Sequence, residues 1–210
     1  AAPYTGIALG DTGCWELLHE NIASLFQSRL IEPEVFVPEN LSEMTEIDPQ
    51  GQETWTAEEI IDLAETIWKQ EESSYSQEFF IVFLKGSLDD DGEPNESVLG
   101  VNVVGTPVIV VFKDVVMNSS SQPTVRRFVE QATLVHEFGH VVGLVDNGVP
   151  MVTDHLDPGH ERHCINDDCV MYWLNEGAND LKDFAEQLIL TESAVMYCDD
   201  CLDDTRSYTP

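Results

Sequence analysis

Positive charge is what this chain lacks most. Its 210 residues hold 9 lysines and arginines against 40 aspartates and glutamates, for a formal net charge of −31. A phosphate backbone would be repelled by such a surface, so nucleic-acid binding is excluded as an expectation. Hydrophobic runs of membrane-spanning length are lacking too, and no transmembrane segment is expected. No internal repeat, low-complexity linker or signal-peptide pattern is visible. The hydrophobic share of 42% is still enough for a core, so global disorder is not expected. The length suits one compact domain, monomeric, with two subdomains around a cleft. The chain opens Ala1-Ala2-Pro3 without an initiator methionine. That start and the acidic surface together lean towards a secreted or cell-envelope protein.

The acidic excess itself has two readings. One is a solvated surface suited to a salty or extracellular setting. The other is calcium binding or an attraction for basic peptides. Asp89-Asp90-Asp91-Gly92-Glu93-Pro94-Asn95-Glu96 could hold calcium but lacks the spacing of an EF-hand loop. It reads better as a solvated turn between two strands.

The richest local signal is His136-Glu137-Phe138-Gly139-His140-Val141-Val142-Gly143. On a helix, histidines four residues apart lie on one face about a turn apart, close enough to share a metal. Glu137 lies beside them, where a carboxylate can take a proton from water. The flanks support a helix. Pro123 follows Ser121 and Gln122 at a suitable helix start. Val125, Phe128, Val129, Ala132, Val135 and Phe138 recur at three- and four-residue steps. Gly143 falls where the helix should end, since glycine tolerates the left-handed backbone of a terminating turn.

Elsewhere the pattern predicts a helical segment over Trp15 to Leu30 and a short strand at Glu34-Val35-Phe36-Val37. A helix beginning at the Thr56/Glu59 capping box is predicted from Ile60, Ile61, Leu63, Ala64, Ile67 and Trp68. Strands are predicted at Phe79 to Leu84, Val98 to Val104 and Val108 to Phe112, the last two separated by Gly105-Thr106-Pro107. A last helix is expected over 178–190. This order suits an α/β (α+β) fold with a twisted mixed sheet. Residues 1–143 would form an N-terminal α/β subdomain ending in the histidine helix. Residues 144–210 would form a smaller, irregular C-terminal subdomain rich in metal-capable side chains: Asp146, His155, His160, His163, Cys164 and Cys169.

Four of the five cysteines fall in that last part, as Cys164 and Cys169, then Cys198 and Cys201. Two such pairs can close a tetrahedral four-thiolate zinc site with no open position. Disulfides are the competing reading in an oxidising compartment. Cys14 stands apart and reads as a small buried hydrophobe.

Taken together, His136-Glu137-x-x-His140-x-x-Gly143, then His163-Cys164, Cys169-Val170-Met171 and Cys198-x-x-Cys201 resemble the archaemetzincin signature within the metzincin metalloproteases. The Trp55-to-Ile61 helix start and Cys169-Val170-Met171-Tyr172-Trp173 are also similar to related bacterial cell-envelope metalloproteases. The motif match covers roughly the last third of the chain. The resemblance implies a metzincin-like zincin fold, a catalytic zinc on His136 and His140, and a turn under the metal containing Met171. It implies further that Val98 to Val104 is an edge strand that pairs with extended substrate. One departure matters. Three residues after Gly143, where metzincins place their third ligand, stands Asp146. The archaemetzincin pattern instead places it directly before the first cysteine, at His163. His163 is preferred, as a neutral ligand fixed by the adjacent four-cysteine site, and Asp146 is the alternative. Some members also carry a tyrosine two residues after the turn methionine, where this chain has Trp173.

The function implied is a zinc-dependent endopeptidase acting on peptides or proteins, with Glu137 as general base. The alternative is a catalytically idle zinc-binding module of the same fold that binds peptides or surfaces. Two zinc ions are expected, one catalytic and one structural, with calcium the weaker third candidate.

Overall fold

A computed structural model describes residues 1–68, 76–173, 184, 188 and 193–208. The elements in order are β1 (Ile7–Leu9), β2 (Thr12–Gly13), α1 (Cys14–Phe26), a single 3-10 turn at Leu41–Glu43, β3 (Thr54–Trp55), α2 (Ala57–Ile67), β4 (Phe80–Leu84), β5 (Ser87–Asp90), β6 (Glu93–Asn95), β7 (Gly100–Asn102), β8 (Val108–Phe112), α3 (Lys113–Asn118), α4 (Pro123–Val141) and α5 (Asp199–Ser207). The fold is mixed α/β with small sheets. Among the described residues no helix is long and apolar enough to cross a membrane.

The sheet is divided, where the sequence suggested one continuous piece. β4, β8 and β7 form a three-stranded unit in that order, β4 parallel to β8 and β7 antiparallel to it. β3, β5 and β6 form a second, and β1 with β2 a third. Gly86 explains the division. It has φ +85°, and a Cβ there would lie 2.1 Å from the Glu53 carbonyl oxygen. The chain therefore leaves β4 by a turn open to glycine and enters β5 against β3, with Ser87 N–H donating to Glu53 C=O at 3.1 Å. The acidic run closes the β5–β6 hairpin through Asp91 (φ 54°) and Gly92 (φ 89°). Two consecutive positive φ values match the right-handed twist of the paired strands.

The predicted strand at Glu34 to Val37 does not form; that stretch pairs with no strand among the described residues. Its alternation survives, with Val35 and Val37 packed against the core while Phe36 is 83% exposed. The helix predicted from residue 15 begins at Cys14 and ends at Phe26. The expected capping box is present: Thr56 N–H donates to Glu59 Oε2 at 2.9 Å and Glu59 N–H to Thr56 Oγ1 at 3.3 Å. The helix expected over 178–190 lies outside the described residues, except Phe184 and Leu188, which are buried.

At the centre lies α4. All five residues of β8 are buried, and α4 packs against β7, β8, β1 and α1. Phe128, Val129, Ala132, Leu134, Val135 and Phe138 are all nearly inaccessible, each large side chain contributing ~1.5–3 kcal/mol by burial. Gly143, at φ +91°, ends the helix. A second link ties the C-terminal segment to this core. Asn21 donates to Ala194 C=O at 2.8 Å and accepts from Met196 N–H at 2.7 Å. Tyr197 Oη donates to Val135 C=O at 2.6 Å.

Candidate metal centres

Helical spacing brings His136 and His140 together, their Nε2 atoms 3.1 Å apart. His163 joins them from the following loop, its ring centroid 5.3 Å from that of His136 and 5.0 Å from that of His140. The donor atoms of all three lie within 4.8 Å of one another. Two nitrogens bound at ~2.0–2.1 Å to one tetrahedral zinc stand about 3.3 Å apart, so the spacing fits such an ion. Asp146 stands outside this group. It is exposed, with φ 57° in a tight loop closed by Val149 N–H donating to Gly143 C=O at 2.8 Å.

Backbone carbonyls set which ring nitrogens face inward. His136 Nδ1 is 2.7 Å from Val170 O, and His163 Nδ1 is 2.9 Å from Glu161 O. A carbonyl only accepts, so each Nδ1 carries a proton, which leaves Nε2 as the nitrogen able to bind a metal. His140 is pushed down to about 2 by burial and by its neighbours His136, His163 and Arg162. It is therefore neutral, with its lone pair free for a cation. Its Nδ1 is buried without a hydrogen-bond partner among the described residues. The cluster thus brings ring nitrogens from three histidines to one point in a desolvated place, an arrangement that suits a cation.

Glu137 lies beside this point. The backbone N–H of Asn102 in β7 donates to its Oε2 at 2.6 Å. That approach depends on Gly100, where a Cβ would lie 2.6 Å from Thr133 Cγ2 and 2.7 Å from Val110 O. Met171 is fully buried under the helix, and a Cβ on Gly139 would lie 2.4 Å from its Sδ. Gly139, between the two histidines, thus leaves room for the Met171 thioether. The three histidines and Glu137 line a cleft of about 410 Å³, together with Leu88, Val98, Val101, Val104, Asn147, Glu161 and Arg162.

The second group is Cys164, Cys169, Cys198 and Cys201, again with all ligand atoms within 4.8 Å. Sγ distances are 3.8 Å for Cys164–Cys198 and 3.6 Å for Cys169–Cys201. A disulfide needs about 2.05 Å, whereas thiolates at 2.3 Å from one tetrahedral zinc are about 3.8 Å apart. All four are free thiols. Bonds from Cys169, Cys198 and Cys201 hold Cys164 far below the ordinary thiol range, while burial pushes Cys169 well above it. Four thiols this close cannot all ionise without a compensating cation.

The two groups share a framework. His163 precedes Cys164, whose N–H donates to Met171 C=O at 2.8 Å, and Val170, which orients His136, sits between Cys169 and Met171. His155, one of the metal-capable side chains of the C-terminal part, is 3% exposed and lies outside the three-histidine group. Its Nδ1 lies 3.3 Å from Cys164 Sγ and its Nε2 2.8 Å from Asp204 Oδ2. The bond to Cys164 and then Asp204 push it up to about 9, against the opposing effect of burial. His160 stacks on Trp173 at 3.8 Å and bonds Asp157 at 2.9 Å. Sequence reasoning missed the Asn102 amide and the His155–Asp204 pair. A backbone donor leaves no trace in residue identity, and Asp204 lies 49 positions from His155. The acidic run at residues 89–96 makes no third such group among the described residues.

A scan against protein-family models, a search of curated proteins and a search of solved structures each found no match to this chain.

Proposed function

We propose that this chain is a zinc-dependent metallopeptidase of metzincin-like architecture. The observation that supports it best is the convergence of three imidazoles at one point beside Glu137, in the lining of a cleft. His136, His140 and His163 would hold the ion, and Cys164, Cys169, Cys198 and Cys201 a second, structural one. Three protein ligands leave the fourth tetrahedral position open, as a catalytic site requires, whereas four thiolates close theirs. Zinc in the histidine group supplies a Lewis acid for a peptide carbonyl and brings the pKa of water towards neutrality. Glu137 then takes a proton from water and returns it to the leaving amine, working as base and acid in turn. The Asn102 N–H fixes the carboxylate in place for both steps. β7 lies at the edge of its sheet, and an extended peptide would run along it, over the histidines.

The test is Glu137→Ala, assayed on a mixed peptide library with metal analysis alongside. The expected result is unchanged zinc content with peptide hydrolysis abolished. Hydrolysis retained in the variant would reject the role of Glu137, and none in the zinc-loaded wild type would reject the peptidase.

A further inference from the structure

Four of the five arginines donate to the protein's own backbone. Arg29 reaches Thr205 C=O, Arg126 reaches Ser120 C=O, Arg127 reaches Ile7 C=O, and Arg206 reaches Ser24 C=O. Arg162 is the exception: among the described residues its guanidinium has neither a hydrogen bond nor an ion pair. Arg162 is exposed to solvent, so its guanidinium is open to a ligand that reaches it. Its backbone sharpens the point. Arg162 occupies the third position of the turn closed by His163 N–H donating to His160 C=O at 3.2 Å, with φ 67°. Glycine or asparagine is favoured there, and a non-glycine residue costs ~1–3 kcal/mol.

Place and chemistry point to a ligand. Arg162 lines the cleft next to His163 and, among the described residues, is its only lysine or arginine. Apolar side chains line the same cleft, among them Leu88, Val98, Val101 and Val104. A guanidinium presents a planar fork that matches a carboxylate through two parallel bonds. A phosphate dianion suits the cleft less well, since Glu137 and Glu161 also line it. The net charge of −31 does not forbid an acidic ligand. At physiological salt the Debye length is about 8 Å, so distant carboxylates are screened and contact pairs are not.

We propose that Arg162 is a specificity-determining residue that binds a carboxylate of the substrate, so that the cleft selects peptides carrying an acid beside an apolar residue. The inference rests on the peptidase reading for its substrate class. The carboxylate comes either from an aspartate or glutamate side chain or from the peptide C-terminus.

The experiment uses one apolar-rich peptide with glutamate or glutamine scanned along it, each made as C-terminal acid and amide. Hydrolysis is followed with the zinc-loaded wild type, and binding by fluorescence anisotropy with zinc-loaded Glu137→Ala. Both are repeated with Arg162→Gln and Arg162→Lys. The expected preference for acid over amide isostere is about 10–100-fold in one arm, the value of a charge-assisted pair. The arm that shows it identifies the source. Arg162→Gln erases it to within about twofold, while Arg162→Lys keeps part of it. If Arg162→Gln fails to fold, Arg162→Lys together with the wild-type preference still decides the matter. Equal rates for acid and amide peptides in the wild type overturn the proposal. So does an equal loss on both in Arg162→Gln, which would place the arginine in the reaction itself. Acid-selective binding without hydrolysis sinks the peptidase and leaves Arg162 standing; hydrolysis without selectivity does the reverse.

Discussion

Gly100→Ala tests how closely β7 must lie on α4. Gly100 is not in the left-handed region, so the argument concerns space alone. The new methyl would sit 2.7 Å from Val110 O, a backbone atom in the central strand, and 2.6 Å from Thr133 Cγ2. Ordinary contact begins near 3.4 Å, so β7 has to lift by about 0.7 Å or the pair has to distort, and overpacking of this kind costs ~1–3 kcal/mol. Lifting β7 also draws the Asn102 N–H from its 2.6 Å bond to Glu137, which would stretch to about 3.3 Å and weaken. A displacement of this order at a reacting group costs up to ~100-fold in rate. The assay is urea denaturation together with kcat/KM and zinc content. We expect a lower midpoint, zinc unchanged and kcat/KM reduced ten- to a hundredfold. Adding Thr133→Ser removes one of the two clashes but not the Val110 carbonyl, so stability should return only in part. A Gly100→Ala protein as stable and as active as wild type would refute the close approach and the role given to the Asn102 amide.

Other expectations follow from the buried polar groups. Glu130 and Lys113 pair within the core, the Tyr4 N–H donates to Glu130 at 2.6 Å, and Lys113 lies over the Tyr4 ring. Burial raises the Glu130 pKa and lowers that of Lys113, so neither tolerates isolation. Glu130→Ala should destabilise by ~3–5 kcal/mol in thermal or urea unfolding, while Glu130→Ala with Lys113→Met should recover much of it. Cys169→Ser should lose one metal ion per chain and also weaken the histidine group, because Val170 orients His136; metal analysis after gel filtration checks both. Acidification should release metal, since protons compete for imidazole and thiolate. A zinc-sensitive dye should report release as pH falls, and none as it rises.

Some of this was legible in the residues. The helix α4, its start at Pro123 and its end at Gly143 follow from periodicity and terminal chemistry, which act over neighbouring residues. The capping box at Thr56 is legible for the same reason. The grouping of His136 with His140 follows from helical pitch, and the gathering of four cysteines from their pairwise spacing. His163 and Asp146 could not be separated by spacing alone. The distinction lies in a loop whose course is set by the Asp157–His163 and His155–Ile165 backbone bonds. Short strands were less visible: β3 gains its pairing from β5, far along the chain, and β6, a Glu-Pro-Asn segment, carries no apolar alternation. The expected strand at Glu34 to Val37 had the alternation but no neighbour to pair with.

The central claim is that His136, His140 and His163 hold a metal ion while the four cysteines hold another. An anomalous difference map from a crystal, recorded on both sides of the zinc absorption edge, tests it most directly. Two zinc peaks per chain are expected, one within about 2.0–2.1 Å of the three histidine nitrogens and one within about 2.3 Å of the four sulfurs. A first peak coordinated by Asp146 instead of His163, or no peak between His136 and His140, would contradict it.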